Sequence, residues 1–254
     1  MIIPLKEEKF SERHPIPFSK FAPNQEADVC WDNEVIVENW PHFTYKINQH
    51  GFRYDEVDKP NKICFVGCSH TFGQGMAQEE IYPELITKQL GNDWQCINVA
   101  IPASGPDAQI TNLTWAINNY NIDTVVWYMS TPQRQVVKDG WIHTYVPPYV
   151  DWIADRKKAK RFQEMSVWLE ETTYLHTYWQ LYTIFSLIKE KNIKLYFRCW
   201  LGEFHYYIQP LLDQFGIKEF TDMKAIDRAR DNSHRGPLSH RWFAEQILGV
   251  MNEV

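Results

Sequence analysis

Apolar residues in this chain cluster in short continuous runs, separated by longer stretches of roughly helical spacing. Ile63-Cys64-Phe65-Val66 follows the breaker Lys59-Pro60-Asn61 and stops at Gly67. A run this short, without polar alternation, suits a strand buried on both faces, as in a parallel sheet. Cys96-Ile97-Asn98-Val99-Ala100, Thr124-Val125-Val126-Trp127-Tyr128-Met129 and residues 193–197 repeat the pattern. Between them the spacing predicts helices over 79–90, 107–119, 161–191 and 203–215. A last helix is predicted over 237–252, with Trp242, Ile247 and Val250 on its buried face. Gly91-Asn92 supplies a stop for the first helix. Strands and helices that alternate in this way predict an α/β chain with a parallel sheet and helices on both faces. Ligands in such sheets sit at the carboxyl ends of the strands.

Two stretches fall outside this pattern. Residues 1–58 are rich in Pro, Asn, aromatics and charge and lack sustained periodicity, so they read as an irregular extension packed on a domain spanning 59–254. Within them, Ile47-Asn48-Gln49-His50-Gly51-Phe52-Arg53 reads as a turn. Residues 132–160, with Pro147-Pro148, read as an insertion or lid-like loop.

Composition narrows the class. The chain has 254 residues, 44% hydrophobic and 23% charged, with 11 Trp and a formal net charge of -6. That describes an ordinary globular protein with a sizeable core. The densest basic segment, Arg156-Lys157-Lys158 with Lys160 and Arg161, reads as the polar start of a helix, and no nucleic-acid partner is expected. The five cysteines are widely spaced without a C-x-x-C, which argues against a disulfide framework or zinc site and fits a reducing compartment. The N-terminus lacks a basic region followed by an apolar one, and no apolar run approaches membrane-spanning length. A cytoplasmic protein without a membrane partner is expected.

Three strand-end segments carry candidate chemistry. Gly67-Cys68-Ser69-His70-Thr71-Phe72-Gly73-Gln74-Gly75 follows the first buried strand. Ser69 there is either a turn serine capping a helix or a nucleophile, and a nucleophilic serine needs a base. The Lys-Ser/Thr ending of a phosphate-binding loop is absent, and so is G-x-S-x-G. Asp231-Asn232-Ser233-His234 places a carboxylate and an imidazole three residues apart. On a tight turn that spacing lets the carboxylate fix the tautomer of a general base. The alternatives are a helix cap by Asp231 or Ser233 with a surface histidine, or a zinc site from His234 and His240. The six-residue spacing and the want of a third ligand disfavour the zinc site, and no metal is expected. In Asn98-Val99-Ala100-Ile101-Pro102-Ala103-Ser104-Gly105-Pro106, Gly105 is either a turn glycine or a backbone N–H donor to an oxyanion.

Together these segments resemble the SGNH hydrolases, also called GDSL-like lipases and esterases. Asn48-Gln49-His50-Gly51-Phe52-Arg53 is similar to the Asn-x-x-Gly-Phe-Arg lead-in of many members, and Gly67-Cys68-Ser69 stands where the family has Gly-Asp-Ser. Asn98 to Gly105 resembles the second family block and Asp231 to His234 the last. The resemblance implies a three-layer α/β/α, flavodoxin-like domain and no cofactor. It implies ester hydrolysis through an acyl-enzyme, with Ser69 as nucleophile, His234 as base and Asp231 orienting it. The N–H groups of Ser69 and Gly105 would form part of the oxyanion hole. The expected substrate is a small acyl ester, an O-acetylated carbohydrate among the candidates.

Two departures stand out. Cys68 replaces the family's aspartate beside the nucleophile and is itself an alternative nucleophile. The third block's asparagine, which completes the oxyanion hole, is missing from Met129-Ser130-Thr131-Pro132-Gln133-Arg134. Ser130, Thr131 or Gln133 is then the substitute donor, and Arg134 is placed to hold a substrate anion. His70 adjoins the nucleophile and either touches substrate or packs the loop, whereas His240 is expected to be structural. The departures also motivate a rival reading, a catalytically silent module with the same fold kept for recognition.

Overall fold

The computed structural model describes residues 26–28, 44–102, 104–132, 134–137, 141–144, 156–231 and 234–253. Strands β1 (Glu26–Asp28) and β2 (Thr44–Lys46) pair antiparallel. Strand β3 (Asn61–Gly67) runs into a single helical turn, α1 (Ser69–Phe72). A 3-10 turn (Gln78–Glu80), α2 (Tyr82–Leu90), β4 (Trp94–Asn98), α3 (Pro106–Asn119) and β5 (Thr124–Met129) follow. Beyond them come the antiparallel pair β6 (Arg134–Val137) and β7 (Trp141–Thr144), then α4 (Arg156–Glu190) and β8 (Lys194–Cys199). The described chain closes with α5 (Gly202–Phe215), β9 (Lys218–Glu219) and α6 (Pro237–Asn252).

Five of these strands form one parallel sheet in the order β4-β3-β5-β8-β9. This is the flavodoxin-like order, and its switch point lies where the chain leaves β3 for β4 on one side and later returns to β5 on the other. The residues after β3 and β5 therefore flank the crevice in which such sheets bind ligands.

Alternation along the strands splits the core into two faces. Cys64 and Val66 of β3, with Val125, Trp127 and Met129 of β5, pack under α3, α4 and α5. Ile63 and Phe65, with Val126 and Tyr128, pack under α2 and α6. Helices thus cover both sides of the sheet, as the strand–helix alternation predicts.

The structure departs from the sequence pattern at three places. A fifth strand, β9, is only two residues long and leaves no apolar run to read. Strands β6 and β7 pair antiparallel within a stretch where an irregular loop is expected, and α4 begins at Arg156 instead of residue 161. The segment 44–54 is part of the core, with Tyr45, Ile47, Phe52 and Tyr54 all buried. Its order comes from Asn48, whose Oδ1 accepts from the N–H groups of His50 and Phe52, each at 3.0 Å. Gly51 takes the left-handed conformation, φ 83°, that this turn requires.

Candidate active site

The site begins where β3 ends. A Cβ on Gly67 would lie 2.0 Å from Thr71 Oγ1 and 2.8 Å from Tyr128 O, so only glycine lets the α1 turn fold back onto β5. Ser69 is the first residue of that turn, at the carboxyl end of β3, and is nearly buried. Gly73 ends the turn at φ 78°, where its N–H donates to Ser69 O. Ser69 Oγ lies 3.9 Å from Cys68 Sγ, its hydrogen-bond partner in this state.

The loop after Ser69 is braced from the N-terminal segment. Arg53 is fully buried and donates to three carbonyls, Phe72 O at 2.9 Å, Gly73 O at 2.7 Å and Met76 O at 2.7 Å. Its guanidinium also lies over the rings of Tyr45 and Phe72. Burial lowers its pKa to about 10, so it stays charged at neutral pH. Tyr45 OH accepts from Gly75 N–H at 2.6 Å. The Asn-x-x-Gly-Phe-Arg segment thus holds the loop after Ser69 in place.

The same loop meets the third candidate segment. Gly75 O accepts from Arg230 N–H at 3.1 Å, and a Cβ on Gly75 would come within 3.0 Å of Asp231 Cγ. Asp231 turns both carboxylate oxygens on His234: Oδ1 accepts its N–H at 3.0 Å and Oδ2 lies 2.6 Å from Nδ1. The carboxylate is 5% exposed and the imidazole 20%, so the pair is sheltered on the aspartate side and open at the histidine. A second aspartate, Asp227, caps α6 by accepting from the N–H groups of Leu238 and Ser239, each at 2.9 Å. The capping alternative for Asp231 therefore belongs to Asp227, while Asp231 bonds to the histidine.

His234 lies against the Ser69 turn through His70, whose ring centroid is 5.5 Å away. His70 also faces Trp200 at 5.7 Å, and its Nδ1 is buried without a partner. Burial, then the neighbouring His234 and His240 and the nearby Arg235 and Arg134, hold its pKa well below the usual imidazole range, so the ring is neutral. Among the described residues no hydrogen bond joins Ser69 Oγ to His234. The fold brings the two to the same end of the sheet without closing that contact.

The loop after β4 is tied to the ends of β3 and β5 by buried polar groups. Ser104 Oγ donates to Gly67 O at 2.9 Å. Gln109 Nε2 donates to Ser104 O at 3.1 Å and to Ser130 Oγ at 2.9 Å, and its Oε1 accepts from Trp127 Nε1 at 2.8 Å. Such a satisfied network fixes geometry at a sheet edge. Gly105 follows, and a Cβ there would lie 1.7 Å from Arg134 O, so the turn after β5 packs directly on it.

This network corrects one expectation. Ser130 Oγ donates its single proton to Ser104 O at 2.6 Å, which leaves it none for a substrate oxyanion. Thr131 is different: its Oγ1 is buried and has no hydrogen-bond partner among the described residues. Gln133 lies outside the described residues. Arg134 stacks its guanidinium on Trp200, Cζ to ring centroid 4.9 Å, and its Nε and Nη1 are buried without partners. Sequence reasoning missed Trp200, Gln109 and the bracing role of Arg53. The only trace of the last was an arginine set in a turn motif upstream of the serine.

His240 packs in the core, where Nδ1 accepts Tyr82 N–H at 3.1 Å and the ring stacks on Tyr82. Burial lowers its pKa to about 3. The described cysteines Cys64, Cys68, Cys96 and Cys199 are free and buried. Burial raises the Cys199 thiol to about 12 and also pushes up those of Cys64 and Cys96. Among the described residues no helix is long and apolar enough to cross a membrane.

No family model and no curated protein matches this chain. Solved structures do. The crystal structure of TesA superposes with a TM-score of 0.50 at 10% identity, covering 76% of this chain and 98% of that one. The acetyl xylan esterase AlAXEase superposes with a TM-score of 0.50 at 14% identity, covering 74% and 98%. The chain has the α/β/α fold of these proteins, which is the fold that the SGNH resemblance implies.

Proposed function

We propose that this protein is a serine ester hydrolase acting on a small acyl ester. The observation that carries the reading is the Asp231–His234 pair, Nδ1 to Oδ2 2.6 Å, seated against the loop of a serine at the sheet's switch point. With Nδ1 held by the carboxylate, Nε2 is the nitrogen left to take a proton. In the proposed reaction Ser69 Oγ attacks the ester carbonyl and its proton passes to His234. Asp231 stabilises the resulting imidazolium. The oxyanion is received by the N–H groups of Ser69 and Gly105 and by Thr131 Oγ1, which stands in for the missing asparagine. His234 returns the proton to the departing alcohol, leaving an acyl-serine. Water, activated by the same imidazole, releases the acid. The likeness of fold to an acetyl xylan esterase supports an acetyl ester, an O-acetylated carbohydrate included.

The Ser69–His234 hydrogen bond is the contact that substrate must complete; such bonds are commonly long or unformed in free enzymes. Its absence here also favours a second reading, a catalytically silent recognition module. Hydrolysis of p-nitrophenyl acetate by native protein and by Asp231→Asn separates the two. The hydrolase reading expects turnover that falls by about 10³–10⁴ in kcat when the histidine loses its carboxylate. Native protein that is folded and no faster than buffer favours the silent module.

A further inference from the structure

Among the described residues Arg134 has no counterion, and it lies beside the proposed catalytic groups. Its N–H donates to Thr131 O at 3.2 Å, so it shares one turn with the proposed oxyanion donor. Its backbone lies on Gly105, another of the proposed donors. Its guanidinium lies on Trp200, whose ring is 5.7 Å from that of His70, and His70 adjoins both Ser69 and His234.

Arginines elsewhere in the chain show what compensation looks like. Arg53 gives Nη1 and Nη2 to three carbonyls, and Arg198 pairs Nη2 with Asp222 at 3.1 Å, so that each has a terminal nitrogen engaged although its Nε is buried without a partner. Arg134 has neither. Its Nε and Nη1 are withdrawn from water without an acceptor, and no carboxylate among the described residues pairs with it. Asp231, the acid of the site, is committed to His234. The Trp200 face attracts the positive charge but leaves the in-plane N–H donors unused. Buried N–H donors without an acceptor cost free energy unless a partner arrives, and a guanidinium fork matches planar or tetrahedral oxyanions.

We propose that the site takes an ester bearing an anionic group, a carboxylate, sulfate or phosphate on its acyl or alcohol part, and that Arg134 receives that group. This rests on the ester-hydrolase reading and narrows its substrate class. Trp200 holds the guanidinium in orientation, and the ester is thereby aligned on Ser69.

The test compares kcat/KM within two matched ester pairs. One is 4-acetoxybenzoate against 4-acetoxybenzamide, with the charge on the alcohol side. The other is 4-nitrophenyl monoadipate against 4-nitrophenyl hexanoate, with the charge on the acyl side. Native protein is expected to favour the charged member of at least one pair by about tenfold or more, the worth of one charge-assisted contact. That ratio falls to about one in Arg134→Gln and narrows in the native protein as salt is raised. A native ratio near one in both pairs, or a preference that survives Arg134→Gln, overturns the proposal. Inertness toward all these esters would instead strike at the hydrolase reading. Calorimetric titration with adipate and 4-hydroxybenzoate therefore runs beside the kinetics. Binding of either anion that is lost in folded Arg134→Gln sustains the anion site, and no Arg134-dependent binding overturns it whatever the esters do.

Discussion

Among single residues, two adjacent hydroxyls after β5 illustrate how position assigns role. Ser130 and Thr131 are equal candidates in the sequence, because each is a donor at a strand end. The structure commits Ser130 to Ser104 O and leaves Thr131 Oγ1 buried and unpartnered. An unpartnered buried hydroxyl is a cost to folding, so its removal should not destabilise. Thr131→Val is therefore expected to keep or raise the thermal midpoint while lowering kcat for ester hydrolysis by about 10²–10³, the worth of one oxyanion donor. Parallel melting curves and steady-state kinetics check both halves. A drop in midpoint with unchanged kcat would assign Thr131 to packing. Ser69, Asp231 and His234 could be proposed from the sequence because the chemistry suggested for them is written in residue type and short spacing. Arg53 was not, because its partners are backbone carbonyls 19 to 23 residues away, and a carbonyl leaves no mark on residue identity.

At the scale of elements, the site is an assembly of strand ends held by other segments. The turn bearing Ser69 is one helical turn long and cannot hold itself; Gly67 lets it fold onto β5, and Arg53 and Tyr45 clamp the loop that follows. Arg53→Met removes the donors and leaves three carbonyls of that loop without their partner. A loss of more than about 3 kcal/mol is expected in urea unfolding, with Arg53→Lys recovering only part of it, since an ammonium cannot reproduce the fork. Equal stability of Arg53→Met and native protein would deny the clamp. The strands β3 and β5 and the last helix were legible because full burial enforces unbroken apolar runs and one apolar stripe. The two-residue β9 and the β6–β7 pair were hidden, because short edge elements carry too few side chains to show a period.

Taken as a whole, the molecule is a five-stranded parallel sheet whose two faces are sealed by helices, and titratable groups caught in the seal link stability to pH. His240 is buried on the α6 side with its pKa lowered to about 3, while an unfolded histidine binds its proton near the ordinary imidazole value of 6.5. Between those values the unfolded state holds the extra proton, so stability is full above about pH 6.5 and falls as pH drops toward about 3, by about 1.4 kcal/mol per unit. His70, also lowered by burial, acts in the same direction. His240→Asn, which keeps an acceptor for Tyr82 N–H, is expected to lose less stability than native protein on moving from about pH 7 to about pH 4.5, by roughly 2–3 kcal/mol. Identical acid dependence in urea titrations of the two would place the linkage elsewhere. The overall architecture was legible because strand–helix alternation leaves few topologies, whereas the proposed joining of Ser69 to His234 would bring together residues 165 positions apart in the chain (234 − 69), which spacing alone does not show. The most direct measurement is covalent labelling with a fluorophosphonate, located by peptide mass spectrometry in native protein and in folded Ser69→Ala. A single adduct on Ser69 that vanishes in the variant is the expected result. No adduct on native protein, or one that persists on Cys68 or elsewhere in Ser69→Ala, would contradict Ser69 as the nucleophile.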